Sequence, residues 1–246
     1  MDKVKTMGLA VFLAAFILVP AIGWAQTPGQ TTKPLVIEPS FYVEGYLGFG
    51  GSSSTQQGNT GILKGDYENY FQGGGKFGYW FTPQGTYAAS WYQDWMKYLG
   101  FYTDLSYHSL DHPNGTVEVS GTGFATGNSS GYVWTWGFMF AGRYGFLEDS
   151  EVPFGRLQPY IGLGPAIFFS GQDYNIGGFT GGRNSSINIG LAIETGFRYF
   201  FTNNISAEAS FKYRHFEPSY YFSPLGTNIQ PNVNLLSGQF GLAYHF

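Results

Sequence analysis

The chain has 246 residues, of which 20% are aromatic and only 11% charged, with 37 Gly, no Cys and a formal net charge of −4 at pH 7. The lack of cysteine excludes a disulfide framework, a thiolate metal site and a lipid-modified Cys. The mild negative charge forms no basic field and argues against a nucleic-acid partner. Beyond residue 25 nothing approaches the ~18 consecutive apolar residues of a membrane-spanning helix.

Lys3 and Lys5 precede an apolar run from Met7 to Val19, which Pro20 breaks ahead of the small residues Gly23 and Ala25. A basic start, a short apolar core and a small-x-small site predict a cleaved export signal over 1–25. "QTTKPLVIEPS" reads as a loose linker, and 26–39 is assigned to it. Residues 40–246 remain as one domain of all-β size.

In this domain the apolar residues recur at every second position. In "FYVEGYLGFG", Phe41, Val43, Leu47 and Phe49 oppose Tyr42, Glu44, Tyr46 and Gly48. In "FQGGGKFGYWF", Phe71, Phe77, Tyr79 and Phe81 oppose Gln72, Gly74, Lys76 and Gly78. "LGFYTDLSYH" sets Leu99, Phe101, Leu105 and Tyr107 against Tyr102, Asp104, Ser106 and His108. "YVWTWGFMFAGRY" opposes Trp134, Trp136, Phe138 and Phe140 to Thr135, Gly137 and Arg143. "YIGLGPAIFF" opposes Ile161, Leu163, Ile167 and Phe169 to Gly162, Gly164 and Ala166. "INIGLAIETGFRYFF" places seven bulky residues opposite Glu194, Arg198 and small neighbours, and "ISAEASFKYR" sets Ile205, Phe211 and Tyr213 against Glu208, Lys212 and Arg214. The closing "GQFGLAYHF" alternates Phe240, Leu242, Tyr244 and Phe246 with Gln239, Gly241, Ala243 and His245. Each of these eight segments is near the ~10 residues that a tilted strand needs to cross a bilayer.

An eight-stranded barrel has an interior only just wide enough for its own side chains. The bulky face does not fit there at protein packing density; the Gly-, Ala- and Ser-rich face does. The aromatic face therefore points outward, and an apolar band of that extent is tolerable in lipid, where closure also leaves no strand edge unpaired. The predicted fold is an all-β, eight-stranded, antiparallel, up-and-down transmembrane barrel. Residues 50–69, 109–131, 170–186 and 216–234, rich in Gly, Ser, Thr, Asn and Pro, are expected as long flexible loops at one end. Connections near 82–97, 145–157 and 202–204 fall at the end of both termini, the first with room for a short interfacial helix through Trp91, Tyr92, Trp95 and Tyr98. Pro165 falls inside the fifth segment and cannot donate to a ladder, which predicts a bulge or a shifted strand boundary there.

"GGGKFGYWFT", "QPYIGLG" and the terminal "FGLAYHF" resemble the small outer-membrane β-barrel proteins of Gram-negative bacteria, the superfamily of the OmpA transmembrane domain and of OmpX and Ail. The resemblance covers 40–246. It implies an outer-membrane location, a monomer without cofactors, and outer-membrane lipid and lipopolysaccharide as neighbours. It also implies that Phe240, Leu242, Tyr244 and Phe246 form the signal read by the outer-membrane assembly machinery. The sequence departs from OmpA in showing no peptidoglycan-binding domain after the barrel, so a wall-anchoring role is not carried over.

The inward face carries Glu44, Lys76, Asp104, Arg143, Glu194, Arg198, Glu208, Lys212 and Arg214. Buried charges must pair, so these are expected either to seal the interior as ion pairs or to gate a narrow pore. His108 and Asp104 lie four apart on one strand face, roughly 13 Å at strand rise, too far for a base and its orienter. His112, His215 and His245 read as isolated. "DYNIGG" at 173–178 only echoes a calcium loop, with Asn184 where Glu is needed, and "GGGK" lacks the residues of a phosphate loop. No catalytic, cofactor or metal site is expected. Surface interaction through the loops leads, a low-conductance pore follows, and a lipid A-modifying enzyme is third.

Overall fold

A computed structural model describes residues 40–58, 61–65, 67–82, 93–119, 123–223 and 227–246; the expected export signal and the linker 26–39 lie outside it. The strands are β1 (Phe41–Gly58), β2 (Gly61–Gly65), β3 (Tyr70–Trp80), β4 (Leu99–Ser109), β5 (His112–Val119), β6 (Gly123–Arg143), β7 (Leu157–Ile176), β8 (Phe179–Phe200), β9 (Ile205–Phe216), β10 (Tyr220–Phe222) and β11 (Thr227–His245). Eight of them close a ring in the order β1-β3-β4-β6-β7-β8-β9-β11, and β11 pairs back onto β1. Every neighbouring pair is antiparallel, as the up-and-down reading requires. The short β2, β5 and β10 extend the sheet at the end far from Phe41 and Phe246.

The period-two pattern becomes an inside and an outside. Outward side chains stand clear of the protein: Leu47, Phe71 and Ile189 are 74%, 80% and 76% exposed. Their inward neighbours are buried. At the near end the outward rings form a continuous stack, in which Phe41 meets Tyr79 at 4.6 Å and Phe246 at 6.0 Å.

Inward glycines make room for inward rings. A Cβ on Gly78 would collide with the Tyr42 ring, one on Gly74 with Tyr46 and one on Gly100 with Trp80. The neighbouring strands thus interlock ring into notch, which explains how a chain so rich in both aromatics and Gly packs a narrow interior.

Two expectations are corrected. The four segments expected as flexible loops are largely strand. β1 stays paired with β11 from Gly50↔Ser237 up to Gly58↔Ile229, β5 and the upper part of β6 pair across 112–129, and the β7–β8 hairpin closes only at Gly177–Gly178. Gly, Ser and Asn are poor strand formers, but ladder bonds on both flanks override that preference. At 20, 21 and 22 residues, β7, β6 and β8 are about twice as long as a bilayer crossing needs.

Pro165 makes neither a bulge nor a boundary. The β6–β7 ladder runs through Gly137↔Ala166 and resumes at Phe140↔Leu163 in unchanged register. Pro165 meanwhile stays paired with Leu191 of β8. Its missing N–H therefore falls on the β6 side, and the outward ring is exposed. The connection 82–97 contains a 3-10 turn at Asp94–Tyr98, with Trp95 exposed; Trp91 and Tyr92 lie outside the described residues.

Candidate functional site: the barrel interior

All nine predicted interior charges are buried inside the ring. Seven of them form one cluster. Lys76 on β3 is its centre. Its ammonium lies 3.0 Å from Glu44 and 2.5 Å from Glu194, and it also bonds Glu208. It hydrogen-bonds Glu194 and Glu208, while the near Glu44 oxygen is held by charge without a hydrogen bond. Arg198 bridges Glu44 at 2.7 Å and Glu208 at 2.6 Å. Lys212 bridges Asp104 at 2.8 Å and Glu194 at 2.9 Å. Each carboxylate thus touches a cation, and each of these cations touches at least two carboxylates.

The other two charges, expected in the same ion-pair set, are satisfied differently. Arg214 donates to the Gln72 amide oxygen at 2.9 Å and the Ser106 hydroxyl at 3.2 Å, and no carboxylate among the described residues is within ion-pair distance. Its charge balances the cluster through space: four carboxylates face three cations, and Arg214 lies one layer farther from the near end. Arg143 lies at the near mouth, its guanidinium between Trp80 at 4.3 Å and Phe154 at 4.2 Å, donating to Gln158 at 2.9 Å.

Tyrosines complete the cluster. The hydroxyl of Tyr46 donates to Asp104 at 2.5 Å and that of Tyr102 to Glu194 at 3.0 Å. The hydroxyl of Tyr160 lies 2.5 Å from both Glu194 and Glu208. Tyr42 covers the Arg198 guanidinium at 4.2 Å. Alternation places Tyr42, Tyr46 and Tyr102 on the inner face but gives them no role. Tyr160 escapes the sequence reading, although the outward phase of Ile161 marks it as inward.

Aromatic layers flank the cluster on both sides. Toward the near mouth Tyr42, Trp80, Phe200 and His245 pack together, with Tyr42–His245 at 5.4 Å and Phe200–His245 at 4.6 Å. Toward the far end Tyr70 stacks on His108 at 4.3 Å and Phe168 on Phe216 at 4.2 Å, among Leu110, Val133, Val233 and Leu235. Alternation does not reveal this apolar layer, because most of its residues fall in or beside the segments that read as loops.

The remaining histidines are partnered. His112 bonds the Pro113 carbonyl, His215 bonds Asn234, and His245 bonds Ser206. His108 and Asp104 do not meet: His108 bonds the Ser109 carbonyl, and Asp104 holds Tyr46 and Lys212. The "DYNIGG" stretch is the end of β7 and its turn, and no group of three potential metal ligands occurs among the described residues.

No protein-family model matches the chain, and no curated protein matches its sequence. Solved structures do match in shape. The outer membrane protein OprG from Pseudomonas aeruginosa is 17% identical, with 85% of this chain and 96% of that one aligned at a TM-score of 0.51. Neisserial surface protein A is 15% identical over 84% of this chain and 97% of its own, with a TM-score of 0.44. The N-terminal β-barrel domain of P. aeruginosa OprF is 16% identical over 83% and 97%, with a TM-score of 0.39. The ring of eight antiparallel strands and the likeness to OprG together identify the fold as that of the small outer-membrane β-barrel proteins.

Proposed function

We propose that this chain is a sealed outer-membrane barrel that anchors a β-structured surface projecting from the cell. The observation that carries this reading is the filled interior. A densely paired charge cluster sits between two aromatic layers, and its residues are 0–5% exposed. Ions crossing such an interior would have to break several charge-assisted bonds at once, each roughly twice as strong as a neutral one.

The outward band supports the membrane part of the reading. Large apolar side chains exposed on every strand of the ring, across areas far above the few hundred Å² that soluble monomers show, suit a lipid solvent. The end of Phe41 and Phe246 is then periplasmic. The long far ends of β6, β7 and β8 are extracellular, and what they present to the outside is the working surface.

Single-channel recording of the refolded protein in a planar bilayer tests the proposal, with Glu194→Ala and Arg198→Ala beside the wild type. Folding is verified by a heat-dependent gel shift. A silent wild-type bilayer is expected. Discrete wild-type channels that change in either variant would overturn the sealed reading and make the charge cluster a gate.

A further inference from the structure

On the outer face of the sheet, two neighbouring rows of polar side chains are zipped together above the apolar band. One row runs up β9 and into β10, the other down β11. The Tyr213 hydroxyl donates to the Asn234 side-chain oxygen at 2.7 Å, and the His215 Nδ1 donates to the same oxygen at 3.0 Å. Asn234 passes the chain on to Asn232 at 3.1 Å, and Asn232 donates to the Glu217 carboxylate at 3.1 Å. Farther out Gln230 donates to Ser219 at 3.4 Å, and Tyr221 is paired opposite Asn228. The strip begins two residues beyond the lipid-facing Leu236 and ends at Tyr221, which is 52% exposed. The eight residue steps from Tyr213 to Tyr221 make it about 25 Å long.

We infer that this strip is a binding face for a neutral saccharide chain, a reading that rests on the proposed surface role and gives it a ligand class. Each zipped amide still has an unused N–H, Asn232 and Gln230 keep free lone pairs, and Glu217 has a second oxygen. Fixed, closely spaced donors and acceptors match the hydroxyls of a sugar, and their order is already set by the bonds between the rows, so little side-chain entropy is lost on binding. Tyr213 and Tyr221 offer ring faces at the two ends. The strip contains no Lys or Arg, so it has nothing to clamp phosphate or sulfate. It also lacks the desolvated apolar centre of a protein interface.

The refolded full-length chain is probed against a panel of neutral oligosaccharides built from glucose, galactose, mannose and N-acetylglucosamine, with heparin oligosaccharides as the anionic comparison. The same sugars on glycolipid vesicles form a second arm. The expected result is binding of at least one neutral class, weakened about tenfold or more in Asn232→Leu and in Tyr221→Ala. Asn175→Leu, an exposed amide on the β7–β8 hairpin, is expected to leave it unchanged. Binding in solution identifies a free glycan, and binding on vesicles alone identifies a membrane glycolipid. The gel shift confirms that each variant is folded. Preference for heparin, no neutral binding up to about 10 mM, or equal binding by Asn232→Leu and wild type would overturn the inference. None of these outcomes bears on conductance, so the failure of this reading and of the sealed-anchor reading are separable.

Discussion

Lys76 and Glu194 touch at 2.5 Å across the barrel although 118 residues separate them in the chain. Removing the ammonium leaves Glu44, Glu194 and Glu208 facing one another with Arg198 and Lys212 alone to hold them. Lys76→Met is expected to lower stability by about 3–5 kcal/mol, the usual result of orphaning buried charges. Arg214→Met orphans no directly bonded carboxylate, only an amide and a hydroxyl, and is expected to cost about 1–3 kcal/mol. Urea unfolding in lipid vesicles gives both; an equal loss would contradict the separation between the cluster and the Arg214 layer.

The ring-into-notch packing gives a second expectation. Gly74→Ala places a methyl where the Tyr46 ring lies, which pushes the hydroxyl off Asp104. The expected cost is about 1–3 kcal/mol, the range for overpacking. The outward Gly45 has only open space where a methyl would sit, so Gly45→Ala is expected within about 0.5 kcal/mol of wild type, as for surface changes generally. A comparison of the two unfolding midpoints checks the inward assignment directly.

At the ladder gap the glycine matters more than the proline. The Phe138 carbonyl occupies the place a Cβ at Gly164 would take, so Gly164→Ala is expected to destabilise by about 1–3 kcal/mol. Pro165→Ala gives the unfolded chain more freedom and returns an N–H to the β6 side, with a net effect within about 1 kcal/mol. Unfolding curves that ranked the two in the opposite order would show that the proline, not the close approach of strands, dictates the gap.

The turn between β6 and β7, at the end of Phe41 and Phe246, carries a pH-dependent element. The Asp149 carboxyl accepts the backbone N–H of Val152 at 2.8 Å and that of Glu151 at 2.9 Å, and also bonds Arg156. The Val152 N–H first, and Arg156 second, hold its pKa below the ordinary value. A depressed folded pKa contributes order that is complete above the unfolded value of about 3.9 and is lost as pH falls through the folded value. Exchange protection at Glu151 and Val152, each rate taken relative to an unstructured peptide at the same pH, is therefore expected to hold from neutral pH to roughly pH 5 and to fall in stronger acid. Asp149→Asn is expected to remove that acid-dependent step; an unchanged profile would locate it elsewhere.

Alternation alone sufficed to place Glu44, Lys76, Asp104 and the other interior charges, because a strand has only two faces. It could not say that Lys76 reaches Glu208 while Arg214 reaches Gln72. Those partners depend on how far each strand is staggered against the next, and stagger is set by the closure of the whole ring. The long outer strands were obscured by composition: "GNSSGY" within β6 has the residues of a loop and the pairing of a strand. The same composition hid the Asn232–Glu217 link, whose two residues sit in one supposed loop yet on opposite sides of a hairpin.

Arg198 on β8 grips Glu44 on β1, the strand that β11 closes upon. A chain that has laid down only β1 to β4 holds Glu44, Lys76 and Asp104 without Glu194, Arg198, Glu208 or Lys212. Much of its interior charge is then unanswered in a medium that punishes this heavily. The strands that close the ring are therefore the same strands that complete the charge pairing, and neither is finished without the other.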